Sequence, residues 1–131
     1  MKHTVSKNSL YEFQVDVEKN RIYFTPVGDW DSPHDVPNYI EDINKCINMV
    51  RSGYTVLSDI THLGVPSPEV NNLHSEAQEM MRQSGQRKAA IVNRSMTMNI
   101  HLDKVYDKVG KDQFQMGTFN NLEDAEKWLD T

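Results

Sequence analysis

The chain has 131 residues, which suits one compact domain and is long enough to enclose a hydrophobic core. Its 19 acidic and 14 basic side chains give a formal net charge of −5, which argues against a general nucleic-acid binder and against docking on an anionic membrane, since both need a basic surface. The single cysteine, Cys46, excludes an internal disulfide and a metal cluster built from cysteines.

The N-terminal stretch MKHTVSKNSLYEF contains no apolar run like that of a signal peptide. No segment approaches the roughly 20 apolar residues that span a bilayer. We therefore expect a soluble cytoplasmic protein without a membrane-inserted part. One domain over residues 1–131 is predicted, with an ordered core of about residues 10–130.

Two strands open the predicted fold. In LYEFQVDV the apolar side chains from Tyr11 to Val17 alternate with polar ones, which is typical of a half-buried strand. EKN (residues 18–20) is a turn, and RIYFTPVG predicts a second strand antiparallel to the first. Pro26 cannot donate to a sheet ladder, so it marks a strand end, an edge or a bulge.

The apolar period then becomes helical. It runs from Val36 to Val50 and predicts a first helix, which Gly53 ends. The start is ambiguous, and Ser32 followed by Asp35 resembles a capping box. YTVLSDI (residues 54–60) is apolar on both faces at its centre, which suits a buried parallel strand.

The rest of the chain alternates between helices and strands. The predicted elements are, in order, a helix over residues 70–81, the strand KAAIVN over 88–93, a helix over 98–109, the strand FQMGTF over 114–119 and a helix over 122–130. Gly85 and Gly110 close the first two of these helices, and Asn121 caps the last. The order β-β-α-β-α-β-α-β-α predicts a single-domain α/β fold, with a mostly parallel five-stranded sheet covered by four helices.

A site is expected where the parallel strands end, because open α/β sheets bind ligands and partners at the carboxyl ends of their strands. The candidates after the third predicted strand are Asp59, Thr61, His62 and Ser67. Trp30 follows the second strand and is either an exposed anchor for a partner or a lid folded over the core.

The opening hairpin, the strand TVLSDI with its loop, the strand KAAIVN and the ending FNNLEDAEKWL resemble the STAS domain (sulphate transporter and anti-sigma factor antagonist). Within that family they are similar to the stage II sporulation protein AA-like group. The resemblance covers the chain from about Leu10 onward. It implies a bacterial, STAS-like regulatory domain that binds a protein partner and has no enzymatic activity.

The resemblance also bears on Ser67. In the anti-sigma antagonists, a serine at the start of the helix after this strand is phosphorylated by the partner kinase, and Ser67 matches that serine by position. Pro66, Pro68 and Glu69 stand where the family has an aspartate, a second hydroxyl residue and a glycine. The residues themselves favour a structural role for Ser67 as a helix cap, since serine before proline is a common start of a helix.

Three functions stay open at this stage. The first is protein–protein interaction through the loop over residues 59–67, the start of the second helix and Trp30. The alternative is an apolar or lipid-like ligand between the second and third helices, lined by Met80, Met98 and Leu102.

The third function is a hydrolase that uses Ser67 and His62, although Ser67 lacks the Gly-x-Ser-x-Gly elbow. We expect no catalytic residue, metal site or cofactor, because the histidines show no ligand spacing and Cys46 falls between core positions. A homodimer is left open.

Overall fold

The computed structural model describes residues 1–93 and 115–131 of the chain. The elements in these ranges are β1 (Lys2–Lys7), β2 (Tyr11–Asp16), β3 (Arg21–Pro26), α1 (Tyr39–Ile47), β4 (Thr55–Asp59), α2 (Pro68–Gln83), β5 (Lys88–Val92), β6 (Gln115–Phe119) and α3 (Leu122–Leu129). The six strands lie side by side in chain order. The first two pairings are antiparallel and the next three are parallel. The predicted α/β class and the order of the described elements are confirmed.

The prediction of five strands is wrong, because β1 adds an antiparallel edge strand before the opening hairpin. Its sequence, KHTVSK, has no apolar alternation, and most of its side chains are exposed. Strand β1 pairs with β2 through backbone hydrogen bonds, and a pattern of apolar and polar side chains does not predict such pairing. The third predicted helix, residues 98–109, lies outside the described residues.

The first predicted helix is shorter than its apolar pattern. Ser32 and Asp35 do form a capping box, but it starts only a single 3₁₀ turn over Pro33–Asp35. Val36 leaves the helical region, with φ −130° and ψ 60°, because the following Pro37 disfavours helical backbone at the residue before it. Helix α1 therefore begins at Tyr39 and ends at Ile47, well before Gly53.

The core lies on both faces of the sheet, because neighbouring residues of a strand point to opposite sides. On one face, α1 and α2 cover the larger cluster, which includes Phe13, Ile22 and Val56. On the other face, α3 buries Ala125 and Leu129 against the central strands. The molecule thus has helices on both sides of a mixed sheet, and both ends of the strands remain available for loops.

Helix α2 covers Pro68–Gln83, two residues longer at each end than its predicted apolar stripe, and the predicted cap and closing glycine bound it. Ser67 is its N-cap and Pro68 its first residue. Gly85 follows the C-cap with φ +101°, a conformation that glycine adopts without steric cost. A Cβ at this glycine would also collide with Ser52, so the turn that leads into β5 requires glycine for two reasons.

Candidate functional site at the carboxyl edge of the sheet

The loop after β4 starts with a tight turn built on Asp59. Its Oδ1 accepts hydrogen bonds from the backbone N–H of Thr61 at 3.2 Å and from the Thr61 hydroxyl at 2.6 Å. The backbone N–H of Ile60 donates to the Val92 carbonyl at 3.0 Å, and the Ile60 side chain is buried. This anchors the turn on the sheet and leaves His62 exposed to solvent.

Backbone hydrogen bonds tie this loop to the loop after β3. The Gly28 N–H donates to the His62 carbonyl and the Gly64 N–H donates to the Gly28 carbonyl, each at 2.9 Å. A Cβ at Gly64 would fall on the carboxylate of Asp29, so a larger residue there would have to displace that side chain. The two loops therefore hold each other in position at the edge of the sheet.

A half-open depression of about 280 Å³ lies where β4, β5 and β6 end. Its lining residues are Asp59, Thr61, His62, Val92, Asn120, Asn121 and Leu122. Three of the predicted site residues, Asp59, Thr61 and His62, thus come together in one concave surface. The wall from the β6–α3 turn adds two carboxamides and one leucine to them.

Ser67 is a helix cap. Its Oγ accepts a hydrogen bond from the backbone N–H of Val70 at 3.2 Å, which confirms the structural interpretation of this serine. Ser67 is not among the residues that line the depression. In the part of the chain that the structure describes, no hydrogen bond joins His62 to Ser67. The contact that a hydrolase would need between its nucleophile and its base is therefore not assembled there.

Trp30 is a lid on the core, and the alternative of an exposed partner anchor is wrong. Its side chain is 1% exposed, and its indole N–H donates to the carbonyls of Leu10 and Val27 at 3.2 Å each. The ring stacks on His74 with centroids 5.2 Å apart. A large aromatic surface with its N–H satisfied is stable in the interior, so Trp30 is not part of the exposed edge.

His74 is a core residue that the sequence analysis did not single out. It is 9% exposed, and its Nδ1 shares a hydrogen bond with the Tyr39 hydroxyl at 3.0 Å. The signal was available, because His74 falls four residues after Val70 and three before Ala77, on the apolar stripe of α2. Its neighbours indicate a packing role.

Cys46 is fully buried beneath the sheet. Burial, with a smaller effect from the nearby Asp42 carboxylate, raises the pKa of the Cys46 thiol to about 12. The group is therefore a protonated thiol at neutral pH, which agrees with its predicted place between core positions.

The predicted apolar ligand site is only partly covered by the structure. Met80 is half-buried and packs against the main core. Met98 and Leu102 lie outside the described residues, and the depression at the sheet edge does not include Met80. Ligand binding between the second and third helices thus stays a prediction.

Two further searches are limited to residues 1–93 and 115–131. Within them, no three histidine, cysteine or acidic side chains are grouped closely enough to hold a metal ion. None of the described helices combines the length and the apolar character needed to cross a bilayer.

Solved structures share this fold. One is an uncharacterized protein of the DUF3478 family with a SpoIIAA-like fold from Shewanella loihica PV-4, with a TM-score of 0.66 and 14% identity over 95% of this chain and 98% of that chain. The chain has a SpoIIAA-like fold. A second is an anti-sigma factor antagonist from Mycobacterium paratuberculosis, with a TM-score of 0.59 and 11% identity over 96% of this chain and 99% of that one. No protein-family model and no curated protein matches the sequence. The SpoIIAA-like fold implied by the sequence resemblance is confirmed, and identities this low do not establish a shared function.

Proposed function

We propose that this protein is a STAS-like regulatory domain without enzymatic activity, and that it binds another protein through the carboxyl edge of its sheet. The proposed surface consists of the loop over residues 59–67, the first turn of α2 and the β6–α3 turn. The SpoIIAA-like fold, which an anti-sigma factor antagonist shares, is one support for the proposal. The second support is the set of side chains at the carboxyl edge of the sheet.

The depression itself carries the proposal. It offers carboxylate, hydroxyl, imidazole and carboxamide groups in one concave surface. Two apolar side chains are also exposed at this edge, with Val65 66% and Leu122 50% accessible. Such side chains could be buried by a partner, while the polar groups beside them could hydrogen-bond with it.

The surface is also held in one arrangement before any partner arrives. The hydrogen bonds among Gly28, His62 and Gly64 fix the β3 and β4 loops relative to each other. The Asn121 cap fixes the start of α3 by accepting the Asp124 N–H at 2.8 Å. Ordering loops on binding costs free energy, so a surface that is already ordered favours affinity.

The test is capture of a partner by the purified protein from an extract of its source cells, quantified by mass spectrometry. His62→Arg adds a bulky positive charge at an exposed position of the proposed surface. We expect it to abolish capture of a stoichiometric partner while the circular dichroism spectrum and thermal midpoint stay unchanged.

His3→Arg is the matched control, because His3 is exposed on β1 and two strands, β2 and β3, lie between β1 and β4. Adjacent strands are about 4.8 Å apart, so His3 lies well outside the surface. Equal loss in both variants, or full capture by His62→Arg, would contradict binding at the carboxyl edge.

A further inference from the structure

The depression contains a carboxylate whose charge is not neutralised by the described part of the chain. Both hydrogen bonds recorded for Asp59 come from Thr61, and both are accepted by Oδ1. No lysine, arginine or histidine among residues 1–93 and 115–131 forms an ion pair with this carboxylate. A partly buried carboxylate with one oxygen still available favours a cationic neighbour.

The opposite wall adds a second acceptor and an apolar surface. Asn121 uses its carboxamide on the α3 cap, bonding the Asp124 backbone and carboxylate. Asn120 makes no hydrogen bond to the described residues through its side chain, so its carboxamide oxygen is available. Leu122, which is 50% exposed, provides the apolar surface of the lining.

The charges around the depression disfavour an anion. Glu123 and Asp124 occupy the first turn of α3 and offset the positive end of its dipole. The chain as a whole has a formal net charge of −5. A negative field of this kind concentrates cations and repels phosphate or carboxylate groups.

We propose that the depression receives an arginine side chain of the protein partner. This rests on the proposed function and names the chemistry of its contact. The guanidinium donates to the Asp59 carboxylate and to the Asn120 carbonyl, and the methylene stem packs on Leu122. Arginine fits better than lysine because its planar fork serves two acceptors at once.

The probe is N-acetyl-arginine methylamide, titrated into the ¹⁵N-labelled protein while backbone amide shifts are followed by NMR. We expect saturable shifts of Thr61, His62 and Asn120 in the millimolar range. N-acetyl-citrulline methylamide has nearly the same shape without the charge, and we expect it to shift none of them.

Asp59→Asn is the decisive variant, because its carboxamide oxygen can still accept the two Thr61 hydrogen bonds while the charge is lost. We expect it to weaken the arginine probe about tenfold, as for loss of a hydrogen bond to a charged group. Asp31→Asn is the matched control, since Asp31 is exposed and does not line the depression. It should leave the affinity unchanged.

Three results would overturn the arginine site: equal shifts with the citrulline probe, unchanged arginine affinity in Asp59→Asn, or tighter binding of inorganic phosphate to the same amides. The capture experiment separates this inference from the proposed function. Capture that is lost in His62→Arg but kept in Asp59→Asn would overturn the arginine contact and leave the proposed partner surface in place. Arginine binding without any partner captured at this edge would overturn the proposed function instead.

Discussion

Arg21 is a residue on which the packing of a whole helix depends. Its side chain is 2% exposed and reaches from β3 to α3, where it donates to Glu126 at 2.5 Å and to Asp130 at 2.9 Å. Its Nε also donates to the Thr55 hydroxyl at 2.8 Å. A charge so deeply buried is tolerated only when it is paired, so these contacts are mutually dependent.

We expect Arg21→Ala to lower the free energy of unfolding by about 2 kcal/mol, because it removes a buried side chain together with the hydrogen bonds that it donates. Urea unfolding followed by circular dichroism measures this change. Arg51→Ala, at an exposed position, is the control and should stay within about 0.5 kcal/mol of the unmodified chain. A loss below 1 kcal/mol in Arg21→Ala would contradict the role of the pair.

At the scale of the element, α2 combines local and tertiary signals. Its N-terminus is set by the Ser67 side chain and Pro68, both of which act through neighbouring backbone groups. Its inner face is set by Val70, His74 and Ala77, which are buried against the sheet. The serine that resembles a phosphorylation site by position is thus needed to start this helix.

We expect Ser67→Ala to destabilise the protein by about 1 kcal/mol, because the Val70 N–H loses its acceptor. Ser67→Asp keeps an N-cap oxygen and should restore most of that stability. Thermal unfolding of the two variants beside Ser9→Ala, an exposed control, makes the comparison. Equal midpoints for Ser67→Ala and Ser67→Asp would show that capping is not what this serine contributes.

At the scale of the whole molecule, several weak acids are buried together in the main core. Burial raises the pKa values of Tyr11 and Tyr54 to about 12 each, and Asp42 adds to the effect on Tyr11. Burial, aided by Asp42, does the same for Cys46. In the unfolded chain these groups ionise closer to 9.0 for the thiol and 10.0 for the phenols.

Because the folded pKa values are the higher ones, this stabilisation is complete below about pH 9 and is lost as the pH rises towards 12. We expect the free energy of unfolding to fall progressively from about pH 8.5 to about pH 10.5 in a series of urea titrations. Cys46→Ala should reduce the slope at the lower end of that range. A stability that stays flat to about pH 10.5 would contradict the burial of these groups.

The sequence predicted most of the elements because their signals are local. The apolar alternation of β2, the Gly85 turn and the Asn121 cap each depend on residues a few positions apart. The predictions from apolar periodicity were wrong where strand pairing between distant residues, or a proline, outweighed the local signal. Strand β1 is stabilised by pairing with β2, and the first helix was cut short by Pro37 despite its apolar period.

The candidate site was predicted only in part from the sequence. Its position at the carboxyl ends of the strands, and Asp59, Thr61 and His62 within it, follow from the alternation of strands and helices. The opposite wall, with Asn120 and Leu122, depends on the sheet order β4-β5-β6, which hydrophobic periodicity does not specify.

The sequence by itself determined the α/β class, the order of most elements and one side of the depression at the carboxyl edge, because periodicity, caps and turns act over short distances. Only the tertiary structure decided that Trp30 is buried, that β1 joins the sheet and that the β4 and β6 loops enclose one depression. Each of these depends on which distant segments pack together. Burial of shared apolar surface and backbone pairing decide which segments pack together. The sequence of one segment does not show which other segment it will pair with.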